Sequence, residues 1–181
     1  AYDLDNGDVI LDLAVHGKTF EDTIQGPSDT QNLRFERWHF ERSTGQVKRK
    51  IVSNLPQEFP RFDERATGQY YRYAYTISVA EGANPIHPEN LKPNCLYRHD
   101  LEKDETQQYF YGEGYSTGEV IFIPRTPDSA EDDGWLISYV HSIDKTKLDP
   151  TKIMILDAKN IEGEPQAVIE LPVHVPLGFH S

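Results

Sequence analysis

Hydrophobic residues along this chain alternate with polar ones far more often than they recur every third or fourth position. Tyr71, Tyr73, Tyr75, Ile77 and Val79 interleave with Arg72, Ala74, Thr76 and Ser78, the period of two that a strand with one buried face requires. Val9 to Val15 is an apolar run behind an Asn6-Gly7 turn signal,. Leu33 to Glu41 and Gln46 to Val52 flank Ser43-Thr44-Gly45, which predicts a hairpin whose turn relies on Gly45. Further strands are expected at Asn94 to His99, Gln107 to Tyr111, Glu119 to Ile123, Trp135 to Val140, Lys152 to Leu156 and Gln166 to Leu171. Gly163-Glu164-Pro165 turns the chain between the last two. Residues 81–93, 112–118 and 126–133 read as loops, and no segment keeps a 3.6-residue period over three turns,.

Roughly ten or eleven short strands point to an all-β sandwich, barrel or propeller. A propeller blade takes about 40–45 residues, so the length predicts about four blades. No linker divides the chain, and residues 1–181 read as one domain.

Composition narrows the function classes. The net charge is −12, which repels phosphate backbones and excludes nucleic acid and an anionic membrane surface as natural partners. Cys95 is the single cysteine. It cannot pair within the chain, nothing demands an oxidising compartment, and a cytoplasmic location with a buried or half-buried thiol is expected. No apolar run reaches the ~18 residues of a membrane-crossing helix. The start, Ala1-Tyr2-Asp3-Leu4-Asp5, lacks the basic and apolar regions of a signal peptide,.

The seven histidines, His16, His39, His87, His99, His141, His174 and His180, form no HExxH and no zinc-type pair,. By spacing alone each reads as a surface or hydrogen-bonded core residue. A propeller can nevertheless bring one histidine per blade to a common axis. Serine-nucleophile, GxGxxG and Walker signals are absent,. Glu58 in Gln57-Glu58-Phe59-Pro60-Arg61 and Glu119 in Gly118-Glu119-Val120-Ile121 each border apolar strand sequence. One reading is an edge-strand charge facing water. The other is a carboxylate accepting the N–H of a metal-bound imidazole and so fixing its orientation.

Four segments, in order and over essentially the whole chain, resemble the carotenoid cleavage oxygenase family, which includes apocarotenoid oxygenases, stilbene-cleaving dioxygenases and the retinoid isomerase of the eye. They are AYDLDNGDVILDLAVH, PQEFPRFDERATGQYYRYAY, GEVIFIPRTPDSAEDDGWLISYVH and ILDAKNIEGEPQAVIELPVHVPLGFHS. The first looks like the stretch that follows the family's third iron-ligand histidine. The resemblance implies the C-terminal blades of a seven-bladed β-propeller. In that family four histidines hold Fe(II) on the axis and three glutamates orient three of them. Matched motif by motif, His180 takes the place of the fourth metal ligand, and Glu58 and Glu119 take the places of two orienting glutamates. The remaining ligands would precede Ala1, and the other six histidines fall at no matching position. Leu177 stands where the family has Tyr or Phe, and Ser181 where it has Gly or Ala.

The implied chemistry is a non-haem iron dioxygenase that cleaves a conjugated C=C bond of a carotenoid, apocarotenoid or stilbene with O2. An all-imidazole shell suits Fe(II) and leaves positions open for O2. No catalytic residue is expected beyond the iron site, and any peripheral membrane contact is expected from the part preceding Ala1. Open sheet edges imply pairing with that part or self-association, and the isolated chain is expected to be inactive. The alternative is a non-catalytic β-propeller module for binding or scaffolding.

Overall fold

The computed structural model describes residues 1–16, 33–79, 94–142 and 149–176. Thirteen strands run through them. They are β1 (Tyr2–Asp3), β2 (Val9–Val15), β3 (Arg34–Phe40), β4 (Val47–Ser53), β5 (Gln57–Arg61), β6 (Tyr73–Ser78), β7 (Cys95–Asp100), β8 (Glu105–Phe110), β9 (Tyr115–Thr117), β10 (Ile121–Pro124), β11 (Gly134–Ser142), β12 (Lys152–Asp157) and β13 (Ala167–Glu170). A single turn of 3-10 helix spans Glu64–Ala66.

The strands form three antiparallel meanders: β1-β2-β3-β4, β5-β6-β7-β8, and β10-β11-β12-β13 with β9 continuing β10's place beside β11. Each is a twisted, blade-like sheet built from consecutive strands, as a propeller requires. Three such sheets form among the described residues. The hairpin at Gly45 forms as expected, with that residue at φ 69°. The 112–118 loop is corrected in part: Tyr115–Thr117 pairs with Val140–Ser142 as β9. The expected loop at 81–93 lies outside the described residues.

The second sheet lies between the other two. Tyr2, Ile10 and Phe35 of the first pack on Tyr71, Ala74 and Leu101. On the opposite face Tyr75, Ile77, Leu96 and Tyr111 meet Val120, Phe122, Leu136, Val140, Met154 and Leu156 of the third. The inner strand β7 of the second sheet is covered on both faces, and all six residues of β7 are buried, Cys95 among them. Its polar side chains are therefore hydrogen-bonded inside the fold. His99 meets Gln57 Oε1 at 2.7 Å, Thr76 Oγ1 at 3.0 Å and Thr106 Oγ1 at 2.9 Å.

Polar contacts fix each sheet on its neighbour. Asp12 on β2 accepts two bonds from Arg37 at 2.7 Å and one from the Tyr71 hydroxyl at 2.6 Å. Arg98 on β7 donates to Asp132 ahead of β11 at 2.9 Å. Glu131 accepts the backbone N–H groups of Arg72 and Tyr73 at 2.7 Å, and burial raises its pKa. The far face of the third sheet carries Ile121, Ile137, Tyr139 and Ile153.

Candidate functional site

Glu58 and Glu119 stand on the first strands of consecutive sheets. In Gln57-Glu58-Phe59-Pro60-Arg61, Pro60 has no N–H to give to a ladder, so β5 can only be an edge strand,. Pairing with β6 slips between Glu58 and Arg61, and Phe59 adopts φ 53°, unusual for a side chain of its size,. A bulge of this kind re-aims the residues around it. Glu58 Oε2 accepts the N–H of Phe59 at 3.1 Å. Beyond the bulge, Arg61 Nη1 lies 3.9 Å from Glu119 Oε2. The same guanidinium holds Glu64 at 2.7 Å.

Glu119 sits in the break between β9 and β10. It is 7% exposed, next to fully buried Val120. The reading of a charge facing water therefore does not describe Glu119. Its side chain lines a slot of about 190 Å³ with Ile121, Ile137, Ser138, Tyr139 and Ile153. Apart from Glu119 and the Ser138 hydroxyl the walls are hydrocarbon and one phenol ring, a setting for a greasy ligand with few polar anchors.

The partner of Glu58 is His16, at the end of β2. The imidazole Nε2–H donates to Glu58 Oε1. The other ring nitrogen, Nδ1, is buried and has no hydrogen-bond partner. Sequence spacing assigned His16 nothing, because forty-two residues separate it from Glu58. Only the packing of β2 against β5 brings them together. Glu58 thus holds an imidazole in one tautomer and orientation, the task of a carboxylate behind a metal-binding histidine.

His180 lies outside the described residues, as does His87. His39 pairs with Asp8 at 2.7 Å. His99 is enclosed, and burial pushes its pKa down to about 4. His141 is lowered by burial first and by His174 second. Among the described residues no three His, Cys, Asp or Glu side chains converge to hold a metal ion. Of the two glutamates, Glu58 holds an imidazole, and Glu119 lies beside the Arg61 guanidinium. The contributions of Arg61 and His16 had no sequence signal. Arg61 acts across two sheets, and His16 reaches its partner only in the fold.

The family model described as retinal pigment epithelial membrane protein matches residues 1–181. A carotenoid cleavage oxygenase of Mycobacterium tuberculosis (strain H37Rv) is 29% identical over 173 residues, covering 96% of this chain and 33% of its own length. The carotenoid 9,10(9',10')-cleavage dioxygenase 1 of Arabidopsis thaliana is 34% identical over 183 residues, covering 98% and 32%. The crystal structure of a cobalt-substituted apocarotenoid oxygenase of Synechocystis superposes with a TM-score of 0.80 at 25% identity, over 98% of this chain and 37% of that one. The chain spans about a third of the length of these relatives.

Proposed function

Since the chain belongs to the retinal pigment epithelial membrane protein family, which takes in the carotenoid cleavage oxygenases, we propose that it supplies the C-terminal blades and part of the metal site of an oxygenase. The enzyme would cleave a conjugated C=C bond of a carotenoid, apocarotenoid or stilbene-like substrate with O2, giving two carbonyl products. The observation that carries this reading is Glu58 on the first strand of its sheet, half-buried, with one oxygen on an imidazole and the other on the Phe59 N–H.

His180 is the ligand this chain would offer to iron, and Fe(II) when bound would supply O2 binding beside the double bond. Glu119 orients an imidazole at the third sheet and Glu58 orients one at the second, each fixing the tautomer that presents a lone pair. Arg61, bonded to Glu64 and 3.9 Å from Glu119 Oε2, offsets part of the Glu119 charge. Ile121, Ile137, Ile153 and Tyr139 offer a water-poor wall for a lipophilic chain,.

The test is product analysis in two proteins, the 181-residue chain and a polypeptide of the relatives' length that carries it. Each is loaded anaerobically with Fe(II) and given O2 with a carotenoid, an apocarotenal and a hydroxystilbene. Paired carbonyl products from the longer polypeptide, lost in His180→Ala, are expected, and none from the chain alone. Absence of cleavage and of bound iron in the longer polypeptide would leave a non-catalytic propeller module.

A further inference from the structure

The alternation of β11 puts His141 on the same face as Ile137 and Tyr139, two residues beyond the tyrosine that lines the slot,. His141 pairs with Ser116 on one side, and one further step of the β11–β12 register brings Thr151 beside it on the other. Fully buried Thr151 holds the chain after β13 at two points. Its carbonyl accepts the N–H of Leu171 at 2.9 Å, and its hydroxyl accepts the N–H of Val175, also at 2.9 Å. Between these points run Pro172, Val173 and His174, and Pro172 fixes its own φ. The backbone that carries His174 is thus held against the end of β11. The His174 ring lies 6.2 Å from that of His141 between centroids.

The two rings differ in setting. His174 is exposed. His141 is 4% exposed, and its Nδ1 is buried with no hydrogen-bond partner. The rings therefore do not bond each other through that nitrogen. Buried polar atoms are almost always satisfied, so an unpartnered one marks a place for a group that the chain does not itself provide. Burial first and the neighbouring His174 second lower the His141 pKa, which leaves the ring uncharged with a lone pair to give at neutral pH. Neutral imidazole is a favoured donor for Zn(II) and its neighbours among the divalent transition metals. Two imidazoles that share one such ion, each nitrogen about 2.0–2.1 Å from it, set their ring centres roughly 5–6.5 Å apart. The observed 6.2 Å lies within that span. Among the described residues no third His, Cys, Asp or Glu joins the pair, so water would complete the shell on the exposed side of His174.

We propose that His141 and His174 form a two-imidazole site for a divalent transition-metal ion of the Zn(II) type, which clips the segment after β13 to the end of β11. The site uses neither Glu58 nor Glu119, and it stands or falls independently of the iron reading given above. The test is Zn(II) titration of the 181-residue chain in competition with a chromophoric chelator, with the imidazole nitrogens followed by NMR. We expect saturable uptake in which the nitrogens of His141 and His174 shift together. A ligand matters at least as much as the groups that orient ligands, so affinity should fall at least about tenfold in His174→Ala and in His141→Asn. His174→Ala trims an exposed side chain, so its loss of affinity is read in a folded protein. His39→Ala, which leaves the pair intact, should match the wild type. Zn(II) should also slow amide hydrogen exchange in residues 171–175 of the wild type and not of His174→Ala. No uptake by the wild type, uptake unchanged in His174→Ala, or shifts confined to His174 or to other histidines would each overturn the proposal.

Discussion

His16 and Glu58 are joined side chain to side chain, Nε2–H to Oε1, across the packing of the first sheet on the second. The same carboxylate takes the Phe59 N–H on its other oxygen, so both oxygens are committed and its direction is set. Glu58→Gln keeps the size and loses the charge. In the longer polypeptide it should weaken Co(II) or Fe(II) binding by about 10–100-fold, read by metal titration. His16→Ala should leave metal affinity within a few-fold of wild type, because the ligand imidazole that Glu58 would orient is supplied by the rest of the longer polypeptide, where it would take the place that His16 holds in this chain,. A collapse of affinity in His16→Ala to the level of Glu58→Gln would make His16 a ligand.

The Asp12 cluster is the main polar joint between the first two sheets. Asp12 has Arg37 on both oxygens and the Tyr71 hydroxyl on one. Its side chain is 2% exposed. Asp12→Ala strands a guanidinium and a phenol without their acceptor and should cost about 3–5 kcal/mol. Urea unfolding of Asp12→Ala, Tyr71→Phe and the double variant should show strong coupling. Additive losses would mean that the contact is incidental.

Gly134 opens β11 where no side chain fits. A Cβ there would lie 2.2 Å from the Ile123 carbonyl oxygen and 2.8 Å from the Phe122 ring. The backbone oxygen belongs to the paired strand and cannot yield without breaking the β10–β11 ladder. Gly134→Ala should therefore destabilise by at least about 2 kcal/mol, in the upper range of overpacking costs. A thermal midpoint equal to wild type would contradict this packing.

His99 makes stability depend on pH. Its folded pKa of about 4 lies below the unfolded value of about 6.5,. The unfolded chain then binds a proton that the fold refuses, so the contribution is complete above pH 6.5 and is lost as pH falls toward 4. The slope is about 1.4 kcal/mol per pH unit while only the unfolded state titrates. His141, also lowered, adds to it in the same direction. Chemical denaturation at intervals from pH 7.5 to 5 should show the fall, and His99→Gln should flatten it whatever its own cost. An equal slope in both proteins would place the titration elsewhere.

The strands were legible where one face is buried. The alternation at Tyr71 to Val79 and the hairpin at Gly45 need only local pattern and turn chemistry. β9 was hidden because its Gly-rich surroundings read as a loop, and its pairing with Val140 to Ser142 is a long-range event. β5 was hidden by Pro60 and the bulge, the same irregularity that points Glu58 at an imidazole. The two glutamates were singled out through a motif, and the fold adds the imidazole at Glu58 and the burial of Glu119. His16 and Arg61 were not, because each acts between sheets, where sequence distance says nothing about contact.

Every strand pairs with the strand before or after it in the chain, β9 and β10 sharing one place beside β11. Each sheet can thus close as soon as its own residues leave the ribosome, without waiting for a distant partner, which favours early and local folding. The two carboxylates do not share this timetable. Glu58 is in place with the second sheet, and Glu119 only with the third. The second carboxylate is therefore placed last, after the sheets before it have formed. A nascent chain stalled between β8 and β11 would have its first two sheets complete and the strands that flank Glu119 still unpaired.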